Sequence, residues 1–394
     1  MTEKRKNTKK VPNCKEDIPN LRFPEFADCW KVKNIRDLGG FIGGGTPDTT
    51  IQKFWEGKIP WISSSDITID DIHNIQKTRF ITEGAIKSSA TKLIPKGGIL
   101  MVSRVGIGKF AVADEELCTS QDFTNLVTTE NEYFLCYYFS ARSSDFVRLS
   151  QGTSIKGFTT QDIKSAKFSI PSIKEQDKIS SFLSLLDERI ATQSKIIEEL
   201  KLLKAAVSKK IFSRQLRFQD DKGKEFPNWE IKKLGEICEK KSSNISANKI
   251  EDNFGEYLIY GASGILKNVD FYEEENDYIS IVKDGAGVGR LFYCKGKSSV
   301  LGTMDIVKPK NTMNTYFLFC LLSTIDFTKY VTGSTIPHIY FKDYKNEYYD
   351  IPCIEEQTKI ADFLSALDNK IVIERMLLHQ LENQKQYLLQ NLFI

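Results

Sequence analysis

Three short motifs in the chain are similar to catalytic motifs, and each is incomplete. Phe41-Ile42-Gly43-Gly44-Gly45 matches the F-x-G-x-G turn that many methyltransferases use for S-adenosylmethionine, but the Asn-Pro-Pro-aromatic run that would hold an extruded amine is absent from the sequence. Pro47-Asp48 and Glu56-Gly57-Lys58 imitate the acids of a metal-dependent nuclease, with too short a gap for the two strands that present those acids. Gly106-Ile107-Gly108-Lys109 lacks the first glycine and the final hydroxyl of a phosphate-binding loop. We therefore predict turns here and no catalytic residue.

A metal centre is not predicted either. The histidines His73, His338 and His379 are too few for a histidine-rich site, and the eight cysteines lie far apart with no CxxC spacing. We predict reduced, separate thiols, and neither a metal nor a cofactor bound by this chain.

Basic residues lie beside glycine turns at matching places in the two halves of the chain. The first pair of turns is flanked by four cations: Arg104, Lys109, Lys283 and Arg290. The second pair carries small hydroxyl groups beside a lysine or a histidine: Thr153, Ser154, Lys156, Ser334, Thr335 and His338. Backbone amides of such turns and a nearby cation can approach phosphate oxygens, and hydroxyl groups can reach phosphates or base edges. Recurrence in both halves makes nucleic-acid contact as good an interpretation as solvated turns, which remain the alternative.

These turns belong to a tandem duplication. The segment IPSIKEQDKISSFLSLLDERI (170–190) aligns without a gap on IPCIEEQTKIADFLSALDNKI (351–371), at an offset of 181 and with 13 of 21 positions identical. Each half also opens with a Phe-Pro and a tryptophan ahead of a Leu-Gly. Each copy is therefore predicted to be a long variable part followed by a helix.

Apolar residues follow alternating steps of four and three along both predicted helices. The first seam contains Ile179, Leu183, Leu186, Ile190, Ile197 and Leu200, and the second contains Ile360, Leu364, Leu367, Ile371, Leu378 and Leu381. Gln193 and Lys204 interrupt the first seam where Glu374 and Lys385 interrupt the second. This is a heptad pattern in which the polar positions fix register, and it predicts an antiparallel coiled coil, with an ordinary core hairpin as the alternative. Ser172 and Glu175 predict a capping box at the first helix.

The variable parts contain short β-rich runs between glycine turns, which indicate α+β domains. The predicted organisation is an N-terminal tail at 1–20, one domain at 21–172, a central spacer helix at 173–213, a second domain at 214–353 and a C-terminal spacer helix at 354–394. The two domains form a pseudo-two-fold tandem repeat separated by the two helices. Outside the shared landmarks their sequences differ, so we expect different surfaces.

Composition limits the function further. With 394 residues the chain is long enough for several domains, and no run approaches the roughly 20 apolar residues of a membrane span. Its basic start is followed by no apolar segment, so we expect a soluble, cytoplasmic protein. The formal net charge is only +3, so nucleic-acid binding has to use local patches or the charge of a partner.

In these motifs the chain resembles the specificity subunits of type I restriction-modification systems. The resemblance covers almost the whole chain and depends mainly on the I-P-x-I-x-E-Q-x-K-I…F-L-S…L-D segment that begins each helix, with the Phe-Pro…Trp…Leu-Gly openings and the glycine-hydroxyl segments at Gly152 and Gly333. It implies two target-recognition domains that each contact one half of a bipartite double-stranded DNA site in the major groove. It also implies that the helices measure the spacer between the halves.

The resemblance further implies partners that perform the chemistry. Two methyltransferase subunits would methylate adenine N6 with S-adenosylmethionine, and restriction/translocase subunits would use ATP and Mg²⁺, so this chain is expected to be non-catalytic. Two alternatives remain open: a stand-alone sequence-specific DNA-binding regulator with internal two-fold symmetry, and a nuclease or methyltransferase in its own right.

Overall fold

The chain folds into two compact units, each built from one variable part and one segment of each long helix. The computed structural model describes residues 18–149, 157–310 and 313–394. The first unit ends at Thr192 and also includes Leu378–Ile394, while the second comprises Gln193–Leu377. The boundary between the units therefore falls within both long helices.

The first unit contains short strands and helices ahead of the first long helix. Its strands are β1 (Lys31–Asn34), β2 (Gly39–Gly43), β3 (Ile59–Ile62), β4 (Phe80–Ile81), β5 (Leu93–Ile94), β6 (Ile99–Met101), β7 (Phe110–Val112), β8 (Leu117–Thr119), β9 (Thr124–Thr128) and β10 (Lys167–Ile170). Its helices are α1 (Glu83–Lys87), α2 (Glu132–Ala141), α3 (Ser143–Leu149), α4 (Thr160–Lys164) and the start of α5 (Ile173–Phe212). Two four-stranded sheets form in the orders β2-β9-β6-β7 and β4-β3-β8-β5, and β1 pairs with β10.

The second unit repeats this plan with different connections. Its strands are β11 (Glu230–Lys233), β12 (Cys238–Ser242), β13 (Tyr257–Gly261), β14 (Gly264–Val269), β15 (Tyr278–Val282), β16 (Leu291–Cys294), β17 (Ser298–Val300), β18 (Met304–Pro309) and β19 (Tyr348–Ile351). Its helices are α6 (Leu234–Ile237), α7 (Thr315–Leu322), α8 (Phe341–Tyr344) and the start of α9 (Ile354–Asn391). The sheets have the orders β12-β18-β15-β16 and β14-β13-β17, and β11 pairs with β19. The predicted tandem α+β architecture with two long helices is confirmed.

The predicted seam residues are covered from solvent in both long helices. Eight are buried: Ile179, Leu183, Leu186, Ile197, Ile360, Leu364, Ile371 and Leu381. Four are half-buried: Ile190, Leu200, Leu367 and Leu378. Apolar burial of this kind stabilises the packed helices by about 25 cal/mol per Å² of covered surface.

Polar seam residues fix an antiparallel register within each unit. In the second unit, Gln193 Nε2 donates to the backbone oxygen of Glu374 (3.1 Å), and Lys204 Nζ lies 2.6 Å from the Asp368 carboxylate. As the residue number rises in α5 it falls in α9, so the segments run antiparallel. In the first unit, Lys385 Nζ lies 2.6 Å from Asp187. At the offset of 181 this is the same ion pair as Lys204 with Asp368, formed once in each unit.

A buried carboxylate joins the start of each long helix to the opening of its domain. The two oxygens of Glu175 accept hydrogen bonds from Arg22 (2.7 and 2.8 Å) and from the indole of Trp30 (3.2 Å). The capping box predicted for Ser172 and Glu175 is therefore replaced by this contact. A guanidinium fork and an indole N–H offer a buried carboxylate a charge-assisted network that a helix amide alone does not. The Phe-Pro…Trp opening and the E-Q motif therefore contact each other and form one junction between the domain and its long helix.

The second unit forms the same junction. Glu356 accepts from Arg217 (2.7 Å) and from the indole of Trp229 (3.0 Å). The next residue, Gln357, accepts from the amide of Asn314, which caps α7, and donates to the carbonyl of Pro352. The repeated motif therefore holds the domain, its helix cap and the long helix together.

Removal of this carboxylate is expected to destabilise the second unit. Glu356 is fully buried, so Glu356→Leu leaves the Arg217 guanidinium without its carboxylate partner and the Trp229 N–H without its acceptor, a loss of about 3 kcal/mol. The exposed neighbour is the matched control, and Glu355→Leu should change stability by less than about 0.5 kcal/mol. Urea unfolding followed by tryptophan fluorescence measures both. Equal effects of the two substitutions would show that the junction does not support the fold.

The state of one cysteine corrects a prediction from the sequence. Cys118, Cys136, Cys238, Cys294 and Cys320 are free and buried, and Cys353 is free and half-buried. Cys29 is disulfide-bonded, so the prediction of reduced thiols is wrong for this residue.

Candidate nucleic-acid interface

In the second unit, the two predicted glycine turns lie side by side. The first turn, 283–290, joins β15 to β16, and the second, 332–338, is closed by two backbone hydrogen bonds between Thr332 and His338. The amide of Gly285 donates to the carbonyl of Pro337 over 2.9 Å, which links one turn to the other. We name residues 283–290 and 332–338 together the second loop cluster.

Two glycines of this cluster are required by its geometry. Gly289 has a φ of +84° and Gly333 a φ of +87°, values that side chains rarely adopt. A Cβ atom at Gly289 would lie 2.8 Å from Cβ of Phe327, and one at Gly333 would lie 2.5 Å from the carbonyl oxygen of Ile336. The turns are therefore tight, and they are held close to the body of the domain.

The first unit arranges its corresponding turn in the same way. Residues 103–109 lie in the connection from β6 to β7, with Gly106 and Gly108 at positive φ. Arg104 forms a β-bridge with Gly157, at the end of the segment that carries the second predicted turn. Residues 103–109 and Gly157 are named the first loop cluster below. The predicted contact residues Thr153, Ser154 and Lys156 lie outside the described residues.

The four predicted cations differ in how they are held. Arg104 is exposed, and its stem lies over Gly157. Lys109 Nζ donates to the carbonyl of Ser64 (2.9 Å), so its charge is directed back towards the domain. In the second unit, Lys283 lies 3.5 Å from the carboxylate of Asp305.

Arg290 is exposed but tethered. Its Nη1 donates to the carbonyl of Ala262 over 2.8 Å, which leaves the other guanidinium nitrogens to solvent. Ser334 and Thr335 are exposed at the tip of their turn, and His338 is half-buried, with its Nδ1 3.2 Å from the carbonyl of Ile336. Arg104, Arg290 and these two hydroxyl groups are thus the predicted residues most open to a ligand.

A basic cavity beside the second loop cluster was not predicted from the sequence. It has a volume of about 560 Å³, and its charged lining residues are Lys240, Lys283, Lys342, Lys345, Asp284 and Asp305. Lys240 lies 3.6 Å from Asp305, which partly balances the four lysines. Recurrence between the halves does not reveal these lysines, because the strand position of Lys240 is held by Phe41 in the first unit. Only the fold brings these lysines together.

Elsewhere in the described ranges the chain offers no metal site. Among the described residues, no three or more histidine, cysteine, aspartate or glutamate side chains are arranged so that they could hold a metal ion. Among those same residues, no helix combines the length and apolar character needed to cross a membrane.

The duplicated recognition-type domain with its long helix matches one known family. The model of the "Type I restriction modification DNA specificity domain" matches residues 28–202 and 227–383, once in each repeat. The chain belongs to the family of type I restriction-modification specificity subunits. Members of this family are the non-catalytic DNA-recognition component, so the resemblance noted in the sequence is confirmed, and a stand-alone regulator is not favoured.

Individual relatives agree with this assignment, some of them over nearly the full length. The "Type I restriction enzyme MjaIX specificity subunit" of Methanocaldococcus jannaschii is 29% identical, covering 91% of this chain and 89% of the relative. The EcoR124I/EcoR124II specificity subunit of Escherichia coli is 31% identical over 42% of this chain and 43% of its own length. The crystal structure of the S subunit from M. genitalium has the same fold, with a TM-score of 0.65 and 19% identity over 96% of this chain and 99% of that one.

Proposed function

We propose that the two loop clusters are the DNA-contacting surfaces of this specificity subunit, each facing one half of a bipartite site. The observation that carries the proposal is the recurrence of one arrangement in both units: a glycine turn beside an exposed arginine, joined by backbone hydrogen bonds to the chain around a second turn. Tight turns let backbone amides and cations approach phosphate oxygens closely.

The residues of the clusters divide into two kinds of contact. Arg104 and Arg290 have guanidinium groups open to solvent, which suits phosphate contacts that set affinity without selecting sequence. Ser334 and Thr335 offer small hydroxyl groups that suit contacts to base edges. Lys109, Lys283 and His338 serve mainly to hold the turns, because protein acceptors already face them.

The subunit acts with catalytic partners. Two methyltransferase subunits dock on it and methylate adenine with S-adenosylmethionine, and restriction/translocase subunits use ATP and Mg²⁺. The long helices set the spacer between the half-sites, and the assembly works in the cytoplasm. The near-neutral net charge of +3 supports this division, because the partners then supply much of the charge that holds DNA.

Loss of one phosphate contact is expected to flatten the salt dependence of DNA binding. Each neutralised phosphate releases nearly one counterion, so Arg104→Gln should reduce the slope of log K against log salt by about 0.9 in the complex with the methyltransferase subunits. The weakening should be similar on specific and unrelated DNA. Lys174, an exposed cation on α5, gives the control variant Lys174→Gln. If the slope were the same for both variants and the unmodified protein, the turn at Arg104 would be a solvated turn that does not contact phosphate.

A further inference from the structure

The two units differ at the groove between the domain and the long helices, and the difference begins in one connection. In the first unit, β3 and its antiparallel partner β4 are joined by the long segment 63–79. In the second unit, β13 and β14 occupy the corresponding places, and only Ala262 and Ser263 join them. The parallel pairing of β3 with β8 and of β13 with β17 confirms that these strands correspond.

The long connection of the first unit covers its groove. The carbonyl of Ile72 accepts a hydrogen bond from the amide of Val112, at the end of edge strand β7 (3.0 Å). The carbonyl of Asp70 accepts from Lys385 Nζ (2.8 Å). Two backbone contacts therefore seat this segment, one on the sheet edge and one on α9.

A histidine completes the contact. The imidazole of His73 stacks on Tyr133, with ring centroids 5.3 Å apart, and its Nε2 lies 2.8 Å from the hydroxyl of Tyr137 and 3.4 Å from the carboxylate of Asp187. Burial alone would raise the pKa of Asp187, but hydrogen bonds from His73, Lys385 and Tyr137 and the charge of Lys385 lower it overall. The carboxylate thus stays ionised beneath the segment.

The second unit has the same groove without a covering segment. Asp368 corresponds to Asp187 at the offset of 181 and keeps the ion pair with a lysine of the other long helix, here Lys204. It accepts a hydrogen bond from Tyr316, which like Tyr133 lies two residues after the asparagine that caps its helix, whereas Asp187 accepts from Tyr137. Its side chain is 35% exposed, against 13% for Asp187. The groove that segment 63–79 covers in the first unit is therefore open in the second unit.

This space is a cleft of about 620 Å³, within the range of ligand-binding sites. Tyr316 and Phe319 form an aromatic wall, and Asp368 and Asn369 offer polar groups. Tyr293 occupies the strand position of Val112, which binds the covering segment in the first unit, and its ring lies edge-on to Tyr316 with the centroids 5.1 Å apart. Strand β16, which carries Tyr293, is an edge strand like β7. Edge strands present unpaired backbone groups to an added segment. None of the lining residues is shared with the basic cavity beside the second loop cluster.

We propose that this cleft is a docking site for an extended segment of a partner polypeptide that carries a histidine. The segment pairs with the edge of β16 and places its imidazole on the face of Tyr316, within hydrogen-bond reach of Asp368. The first unit supplies the template, since residues 69–75 make this set of contacts within the chain. The proposal is independent of the DNA contacts assigned to the loop clusters.

Saturation-transfer NMR with the full chain tests the proposal, because it detects weak ligands of a large protein. The probe is an acetylated and amidated peptide with the sequence of residues 69–75 (IDDIHNI). We expect transfer to its imidazole protons and a Kd of about 1 mM, typical of a short flexible segment. In the first unit, residues 69–75 already occupy the groove and compete with the peptide. Because they are covalently attached, their effective concentration there is millimolar or higher, as high as that of the added peptide.

Two matched comparisons make the test specific. Asn369→Trp fills the mouth of the cleft and should weaken binding at least tenfold, whereas Glu188→Trp, at the equivalent exposed position of the first unit, should leave it unchanged. A peptide with alanine in place of histidine should bind at least fivefold more weakly. No transfer at 10 mM peptide, equal binding by both tryptophan variants, or equal binding of both peptides would each overturn the proposal. Free imidazole with the affinity of the peptide would assign the cleft to small heterocycles instead.

Discussion

Exchange of residues 21–172 for the corresponding part of another specificity subunit is expected to change one half of the methylated DNA site and leave the other half intact. The two domains share landmarks but differ in sequence outside them, so we expect each to determine its own half-site. Each mismatched base pair costs about 1–3 kcal/mol, and three mismatches therefore weaken binding to the old half-site by more than about 100-fold. Sequencing of methylated DNA from cells that express the chimaera with its partners measures the outcome.

The structure shows what the chimaera has to keep. Glu175 and Gln176 lie outside the exchanged part but bind Arg22, Trp30 and the amide of Asn131 within it. A donor with the same Phe-Pro…Trp opening preserves this junction. The reciprocal exchange of 214–353 is the control, and it should change only the other half of the site. If one exchange changed both halves together, separate recognition by two domains would be wrong.

Lengthening of both helices by one heptad is expected to lengthen the spacer between the half-sites. Seven residues inserted after Glu199 in α5, and seven after Ile371 in α9, preserve the register on both sides, because the contact of Gln193 with Glu374 and that of Lys204 with Asp368 bracket the insertion. Seven residues add about 10 Å of helix, equivalent to about three base pairs. Added base pairs also rotate the DNA, so we expect a spacer longer by about one to three base pairs, with unchanged half-sites.

Insertions of three residues at the same places provide the control. A three-residue insertion creates a stammer that displaces the apolar seam, so these variants should assemble poorly or lose methylation. Sequencing of methylated sites from cells with the seven-residue variant measures the spacer length. An active complex that kept its original spacer would show that the helices do not measure DNA.

The long helices and their seam could be predicted because their signal is periodic in the sequence. The heptad steps from Ile179 onward mark residues that the structure buries, and the polar positions Gln193 and Lys204 find partners on α9. The glycine turns could also be predicted, because they recur at one offset in the sequence and this recurrence can be found without knowledge of the fold.

Contacts between distant parts of the chain could not be predicted. Glu175 fitted a local capping box, yet it binds Arg22 and Trp30, which lie far away in the sequence. Lys240 and Lys345 meet at one cavity only because β12 and the end of α8 are neighbours in the folded domain. The role of His73 depends on a connection that is present in one repeat alone. A comparison of the two copies in sequence does not identify such a residue, because it has no counterpart in the other copy.

The most direct test of the account is to map methylated adenines in DNA from cells that contain the complete restriction-modification system, with and without this gene. We predict a bipartite motif, two unrelated half-sites with an unread spacer of fixed length, that is methylated only when the gene is present. The chimaera at 21–172 should then change a single half of that motif. Methylation that does not depend on the gene, or a continuous motif without a spacer, would contradict recognition of two half-sites by two domains of one chain.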